Sequence, residues 1–522
     1  VLFIVTECFI LKFNINLEKM KKTYIKLISA LLAVISFTSC GDFLEEVSQD
    51  EFKPETVEDY QEILNGEGYG MFVSIDPLSH VFTDDVQGAD MSAQSWNIPY
   101  YYTDDNLAFK DVYTWQPDMD QLLTDRKLTG YYQSYQDLYK LIMACNTVLG
   151  EVDKATGTDT ERKRTKGEAL ALRAYYYWYL VNLYAMPYNM EGTTPDKLVG
   201  VPLVLTSEIK NEGSKRSSVA SVYGQITADI EEACSLLEET KSSTISNFRI
   251  NWMAAHLLAS RIYLYMENWD QVISHVDKAM SGHPVLCDLN TYSLAIPSNY
   301  IPNPYNTWAD MASNNFVSSA FPETLFVGGS TKKVKISATL LMPSEDLFNS
   351  FTSDDLRMKF AFKETSMYWK HQECKAGNSE RGFAWRTAEL YLNRAEAYAE
   401  KYAAGDAASG AKAVDDINAL RKKRIASASY IDYSLSNAED LIQFIRAERR
   451  RELCFENPHR WFDLRRYGMP KIEHPWFDKN GNRTTFTLEK NDVGFALPFP
   501  VEATTNNPNL EQNPVHAVRE GM

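Results

Sequence analysis

The sequence is poor in the residue patterns that mark catalytic and metal-binding sites. Its 522 residues include seven cysteines and eight histidines, with no CxxC pair and no histidines paired at metal-ligand spacing. The motifs GxSxG, HExxH, the P-loop and the dinucleotide-binding GxGxxG are absent as well. We therefore expect no catalytic residues, no cofactor and no bound metal. A lipid-anchored glycoside hydrolase stays open as an alternative, because its two carboxylates are distant in the chain and leave no local motif.

Cysteine usage and charge exclude further classes. Cys8 and Cys40 lie near the N-terminus, and the remaining five cysteines are an odd number without close pairing, so no disulfide framework is indicated. The chain carries 53 basic and 70 acidic residues, a net charge of −17. Nucleic acid and anionic lipid both require basic surfaces, so neither is an expected partner.

The N-terminus has the three parts of a secretory signal peptide. Basic residues follow Met20, an apolar core runs from Leu27 to Phe37, and small residues lead to Cys40. The core is shorter than the roughly 20 residues that a membrane-spanning helix needs. Cys40 stands as in a bacterial lipobox and is the predicted lipidation site; the alternative is an ordinary signal peptide with a stray cysteine. Residues 1–39, an upstream extension plus the signal peptide, are expected to be removed, and 40–52 form an acidic tether.

A repeated motif in helical segments predicts a helical-repeat scaffold. Arg-Ala/Ile-x-x-Tyr begins at Arg173, Arg261 and Arg394, each within an alanine- and leucine-rich helix. Small residues let paired helices approach closely while aromatic rings fill the gaps, as in tetratricopeptide repeats. The alternative is three unrelated amphipathic helices, and long insertions must separate the units. A further amphipathic stripe includes Tyr135 and Tyr139.

Aromatic residues outside the helical pattern are the candidate ligand contacts. The stretch from about 80 to 118 and the insertion 283–330 lack helical periodicity, so some of their rings should face solvent. Sugar rings bind flat aromatics flanked by amides or carboxylates. The candidate ligand residues are Trp96, Asn97, Tyr100, Tyr101, Tyr305, Asn306 and Trp308. The alternative is that these rings pack the loops against the repeats.

The segment 445–466 is the most densely charged part of the chain. Acidic and basic residues alternate at three-residue offsets, as in Glu448 with Arg451 and Arg449 with Glu452, which favours an ion-pair network over a nucleic-acid helix. We predict structural roles for Arg449, Arg450, Glu452 and Trp461. Further on, Asn480-Gly481 between two short runs predicts a β-hairpin.

ERRRELCFENPHRWFDLRR at 448–466 closely resembles the most recognisable motif of the SusD/RagB family of nutrient-binding lipoproteins. The resemblance extends over nearly the whole chain after residue 39. It includes SCGDFLEE (39–46), ALRAYYYWYLVNLYAMPY (171–188), GVPLVL (200–205), NWMAAHLLASRIYLYMENWDQV (251–272), AELYLNRAEAYAE (388–400) and NPNLEQNP (507–514).

The resemblance implies an all-α dominated fold of about four tetratricopeptide-like helix pairs with a few short β-hairpins. Residues 53–522 would form one domain, with helical repeats to about 282, a loop-rich variable lobe at about 283–384 and C-terminal helices from about 385. It also implies a non-catalytic protein on the outward face of the outer membrane, lipid-anchored, which passes oligosaccharide to a SusC-like TonB-dependent transporter. Capture of peptide or of a glycoprotein-derived ligand is the alternative within the same family.

Overall fold

α-Helices dominate the architecture, and short antiparallel strand pairs lie between them. The computed structural model describes residues 53–71, 73–92, 102–208, 213–242, 246–292, 316–330, 340–364, 371–373, 375, 382–456 and 458–522. Its helices are α1 (Val57–Ile63), α2 (Asp104–Tyr113), α3 (Met119–Asp125), α4 (Ser134–Glu151), α5 (Asp159–Tyr184), α6 (Val219–Glu239), α7 (Trp252–Tyr265), α8 (Trp269–Gly282), α9 (Glu345–Asn349), α10 (Met358–Ala361), α11 (Thr387–Ala403), α12 (Ala407–Lys422), α13 (Ala438–Leu453), α14 (His459–Arg466) and α15 (Val501–Asn506).

The strands are β1 (Val86–Gly88), β2 (Val199–Pro202), β3 (Arg216–Ser218), β4 (Thr324–Gly328), β5 (Leu341–Pro343), β6 (Phe362–Glu364), β7 (His371–Glu373), β8 (Phe383–Arg386), β9 (Ile472–Phe477) and β10 (Arg483–Leu488). They form two-stranded pairs, β1 with β5, β2 with β3, β4 with β8, β6 with β7 and β9 with β10. All five pairs are antiparallel.

The long helix α5 lies at the centre of the helical array, between α4 and α6. A capping box formed by Thr158 and Glu161 begins it, and this satisfies backbone N–H groups that lack a partner within the helix. Every residue from 169 to 184 is buried. A helix that is apolar on all sides is stable only inside a core, so the YYYWYLVNLY run forms the interior of the molecule.

From α6 onward the helices stack on one another largely in chain order. α6 packs on α7, α7 on α8, α8 on α11 and α11 on α12, while α13 lies against α11. This arrangement confirms the predicted tetratricopeptide-like scaffold. Residues 55–522 form one compact unit, and its described helices include none that is both long and apolar enough to cross a membrane.

The arginine of the repeated motif ties each motif helix to another helix. Each guanidinium makes two hydrogen bonds of 2.6–2.8 Å to one carboxylate. The pairs are Arg173 of α5 with Asp229 of α6, Arg261 of α7 with Glu389 of α11, and Arg394 of α11 with Asp416 of α12. Bidentate arginine–carboxylate pairs fix the relative orientation of the two side chains as well as their distance. The motif therefore sets how neighbouring helices pack.

Glu452, near the end of α13, is the centre of a buried ion cluster. Its carboxylate accepts hydrogen bonds from Arg357 at 3.2 Å, from Arg386 at 3.0 Å, and from Arg424 at 2.9 and 3.0 Å. Glu323 bridges Arg386 and Arg424 at 2.9 and 2.6 Å. Burial raises the pKa of Glu452, but the guanidinium groups of Arg424 and Arg386 outweigh it and hold that pKa well below its usual range.

Glu448, Arg449 and Trp461 of the charged motif are also buried, and one partner differs from the expected one. Glu448 pairs with Arg451 at 2.6 Å, as the three-residue offset predicted. Arg449 does not pair with Glu452; it contacts Asp463 of α14 at 2.8 Å. A fixed spacing along one helix cannot predict this partner, because Asp463 belongs to the next helix, α14.

We predict that Glu452→Ala destabilises the protein without altering its ligand affinity. The substitution leaves three guanidinium groups without their shared carboxylate, and breaking a buried ion pair costs about 3–5 kcal/mol of unfolding free energy. Chemical denaturation and thermal melting measure the loss. The matched control is Glu439→Ala in the exposed first turn of the same helix, where about 0.3–1 kcal/mol is expected. A Glu452→Ala protein as stable as the parent that has lost ligand binding contradicts the prediction.

Stability should decrease as the pH falls. Burial raises the pKa of Glu448, and Arg357 lowers it more, to about 2; Glu389 reaches about 2 through Arg261 in the same way. A carboxylate with a depressed folded pKa stabilises the fold above its unfolded pKa, near 4.3, and loses this as the pH falls toward 2. Burial lowers the pKa of His459 to about 4. Between about pH 6.5 and 4, the unfolded chain therefore binds this proton while the folded protein does not, which favours unfolding.

We expect the melting temperature to be nearly constant from pH 8 to about 7. It should decline modestly from there to about pH 4.5 and fall steeply at lower pH. Calorimetry or circular dichroism over this range measures it. A melting temperature that stays constant down to about pH 3 would show that these groups are not paired in solution.

Candidate ligand-binding region

The strand pair β1–β5 frames the first candidate ligand segment, residues 93–101. Gln87 pairs with Met342 across the two strands, and Ala89 donates to the carbonyl oxygen of Leu340 at 2.9 Å. Gly88 lies so close to β9 that a Cβ at this position would meet the carbonyl oxygen of Pro475 at 2.5 Å. Glycine at 88 is therefore what allows β1 to lie directly on the β9–β10 hairpin.

The β9–β10 hairpin is formed as the Asn480-Gly481 signal predicted. Its strands pair from Arg483 with Phe477 to Leu488 with Ile472. The Asp478 carboxylate accepts the backbone N–H groups of Asn480 and Asn482 at 2.8 and 2.9 Å. Gly481 has φ +83°, a left-handed conformation that glycine adopts without a steric penalty. This turn is the rigid support next to the candidate segment.

Both described ends of the 93–101 segment lie at this hairpin. On one side, a Cβ at Gly481 would meet Oγ of Ser92 at 2.6 Å. On the other side, the hydroxyl of Tyr102 lies 3.2 and 2.9 Å from the carbonyl oxygens of Phe477 and Asp478. Burial and the carboxylates of Asp90 and Asp478 raise the pKa of Tyr102 to about 12. Tyr102 therefore keeps its proton at neutral pH and donates it to the turn.

Part of the aromatic stretch expected to be irregular is ordered core. Residues 104–113 form α2, although the sequence showed no helical period there. Tyr113 and Trp115 are buried with His474 stacked between them at centroid distances of 4.0 Å on each side. Rings that pack against a hairpin from the far end of the chain follow no local period, which is why the pattern failed here.

The described ends of the second candidate segment, residues 293–315, both lie at Phe321. Tyr292 packs edge-on to Phe321 at 5.7 Å, and the buried Phe316 lies 4.9 Å from the same ring. The guanidinium of Arg386 stands over Phe316 at 5.0 Å. The Glu452 cluster also fixes the backbone just before the segment, because Arg424 donates to the carbonyl oxygen of Cys287 at 2.7 Å.

The charged motif of α13 holds the supports of both segments. Glu452 faces the cluster beneath the second segment, as described. Arg450 donates to Asp85, which precedes β1, at 2.7 Å, and to Asp346, which follows β5, at 2.6 Å. Trp461 stacks on Phe495 at 5.1 Å and lies 5.3 Å from Phe82. One short stretch of sequence therefore contacts described residues near the ends of both segments, which are far apart in the chain.

A separate concave surface of about 580 Å³ lies between α4, the chain after β2 and α15. Tyr135 and Tyr139 line it with ring centroids 4.8 Å apart, and Asn506 and Asn507 add amide groups. Sequence reasoning placed both tyrosines in the core-facing stripe of α4 and did not find this surface. The apolar stripe of a helix has the same periodicity whether it faces the core or lines a groove. The sequence pattern therefore could not distinguish the two.

The remaining sequence-predicted site residues lie outside the described residues. They are Cys40, Trp96, Asn97, Tyr100, Tyr101, Tyr305, Asn306 and Trp308. The described residues at the ends of the two segments bond to one another: Phe316 and Phe321 are buried, and Tyr102 donates to the β9–β10 turn. The carboxylates of Glu452 and Glu323 are paired with guanidinium groups.

The fold is that of several solved bacterial proteins. A SusD superfamily protein from Bacteroides thetaiotaomicron is 22% identical with a TM-score of 0.63, over 88% of this chain and 100% of that one. A SusD-like carbohydrate binding protein from Bacteroides vulgatus gives 21% and 0.62, over 87% and 97%. A SusD superfamily protein from Bacteroides fragilis gives 21% and 0.62, over 87% and 99%. These identities establish the fold alone.

Family models assign the chain more directly. No protein in the curated set matches it. Residues 42–264 match the SusD-like model described as starch-binding and associating with the outer membrane. Residues 338–516 match the model of the SusD family, SusD/RagB, which includes the charged motif at 448–466. Because the two models follow each other along one chain and one fold, the protein belongs to the SusD/RagB family.

Proposed function

We propose that the protein is a non-catalytic, cell-surface lipoprotein that binds oligosaccharide and delivers it to a SusC-like TonB-dependent transporter in the outer membrane. The successive matches to the two SusD family models carry this proposal. The solved relative from Bacteroides vulgatus, named a SusD-like carbohydrate binding protein, agrees with a sugar as the ligand class.

The ligand contacts belong to the segments 93–101 and 293–315 in this proposal. Each has two rigidly anchored described ends, one pair at the β9–β10 turn and the other at Phe321. Aromatic rings on rigid supports bind sugar faces at low entropic cost, and neighbouring amides pair with hydroxyl groups. Trp96 and Trp308 supply stacking platforms, Asn97 and Asn306 are the hydroxyl partners, and the adjacent tyrosines extend the surface.

We predict that Trp96→Ala and Trp308→Ala each weaken binding of the cognate glycan about 5- to 30-fold, because losing a stacking platform costs about 1–2 kcal/mol. Isothermal titration against a panel of oligosaccharides and peptides identifies the ligand and measures the loss. Phe248→Ala is the control, since Phe248 is 49% exposed in the described structure and outside both segments.

If both tryptophan variants remain folded and bind like the parent, the site lies elsewhere. The loop around Trp369 and the surface lined by Tyr135 and Tyr139 are then the next regions to test. Binding of a peptide and of no glycan would replace the oligosaccharide by the peptide class while leaving the transporter-linked role in place.

We predict that Cys40 carries the lipid anchor. Cys40→Ala removes the thiol that accepts the diacylglycerol and should leave the precursor uncleaved or release the protein from the membrane. Fractionation with metabolic fatty-acid labelling tests this. Cys454→Ala, which removes a buried thiol of the folded unit, should retain label and membrane association. A Cys40→Ala protein that is still cleaved and membrane-bound contradicts the prediction.

A further inference from the structure

Three side chains with metal-ligand chemistry meet inside the helical array. Cys234 of α6, His256 of α7 and His275 of α8 are all buried, and one ligand atom of each lies within 4.8 Å of the other two. They come from three helices, so no spacing motif in the sequence reveals them. Thiolate sulfur and imidazole nitrogen are the ligands that Zn²⁺ prefers in proteins.

The two imidazoles face each other through the same ring atom. Nδ1 of His256 lies 2.8 Å from Nδ1 of His275. The outer nitrogen of each ring is directed at a carboxylate of α6. Nε2 of His275 lies 3.1 Å from Oε1 of Glu231, and Nε2 of His256 lies 3.3 Å from Oε1 of Glu238. Glu231, Cys234 and Glu238 therefore share one face of α6.

The protons of these rings cannot all be placed well in neutral imidazoles. An ionised carboxylate only accepts hydrogen bonds, so Nε2 of His275 carries the proton and its Nδ1 is a bare lone pair. If His256 places its proton on Nδ1, its Nε2 lone pair faces Glu238. If it places the proton on Nε2, two Nδ1 lone pairs face each other at 2.8 Å. Among the described residues, Nε2 of His256 has no aligned hydrogen-bonding partner.

A metal ion bound by both Nδ1 atoms removes this conflict. Each ring then carries its proton on Nε2, directed at a carboxylate, which is the arrangement that orients and strengthens histidine ligands of zinc. Tyr263 also donates to Glu231 at 2.6 Å and holds that carboxylate in position. Tetrahedral zinc needs its nitrogen ligands about 3.3 Å apart, so moving the two Nδ1 atoms apart by roughly half an ångström fits them to the ion.

We propose that Cys234, His256 and His275 form a zinc-binding site that joins α6, α7 and α8, with Glu231 and Glu238 positioning the two imidazoles. The side chains of these carboxylates are 47% and 30% exposed, which gives an ion a route from solvent. On binding, the Cys234 thiol gives up its proton to the buffer, the sulfur forms a bond to Zn²⁺, and the fourth position is taken by water.

The test uses the purified protein after treatment with a chelator. One equivalent of Co²⁺ should bind with a thiolate-to-cobalt charge-transfer band, Zn²⁺ should displace it, and Zn²⁺ should raise the melting temperature. Cys234→Ser should lose the band, while the control Cys145→Ser, which changes another buried thiol in α4, should keep it. Glu238→Gln should keep the band and weaken the affinity about 10- to 100-fold.

X-ray absorption of the zinc-loaded parent provides a readout that does not depend on any variant folding. One sulfur and two imidazoles around zinc support the proposal. Less than one equivalent of bound Zn²⁺, a zinc environment without sulfur, or a charge-transfer band that persists in Cys234→Ser overturns it.

Discussion

The interaction on which the rest of the structure depends is the pairing of Glu452 with three arginines. Arg357, Arg386 and Arg424 come from three separate parts of the chain and meet on one fully buried carboxylate. In a region of low effective dielectric, a single unpaired charge of this kind is costly, whereas the completed set is compensated. The cluster is therefore an all-or-none constraint, because its members must arrive together for any of them to be stable.

The same constraint explains how a helical-repeat protein carries long insertions. The repeat helices are held to their neighbours by Arg173, Arg261 and Arg394, which bond side chains of adjacent helices. The Glu452 cluster instead joins α13 to the chain on both sides of the insertion, through Cys287 and Glu323. A loop whose two ends are fixed in a charged cluster can change its own sequence without disturbing the core.

Two buried polar clusters in the molecule differ in how their polar groups are hydrogen-bonded. Around Glu452, three guanidinium groups donate hydrogen bonds to the carboxylates of Glu452 and Glu323. Between α6, α7 and α8, two neutral imidazoles, a thiol and two acceptor-only carboxylates leave Nε2 of His256, 3.3 Å from Oε1 of Glu238, without an aligned hydrogen bond. Buried polar groups in native proteins are paired in the great majority of cases. A cluster that neutral imidazoles cannot satisfy is consequently a better indication of a ligand than burial or residue type.

By itself, the sequence determined the helical class, the family and the charged character of the motif. Each of these is carried by local signals, namely the helical period, the repeated Arg-x-x-x-Tyr and the run at 448–466. It also determined the hairpin at Asn480-Gly481, since the turn needs a left-handed residue, which Gly481 supplies. The candidate aromatics of the two insertions were named from sequence, and the described structure shows only where the ends of their segments are anchored.

Only the tertiary structure decided which side chains contact one another. Arg449 joins Asp463 and not Glu452, Trp115 is stacked on His474 from the far end of the chain, and Cys234 meets two histidines from other helices. Tyr135 and Tyr139 likewise became walls of a concave surface only when residues 501–507 closed beside them. Sequence periodicity specifies which face of an element is covered. Which residue covers it depends on loop closure and on the packing of distant segments, and no local pattern encodes these.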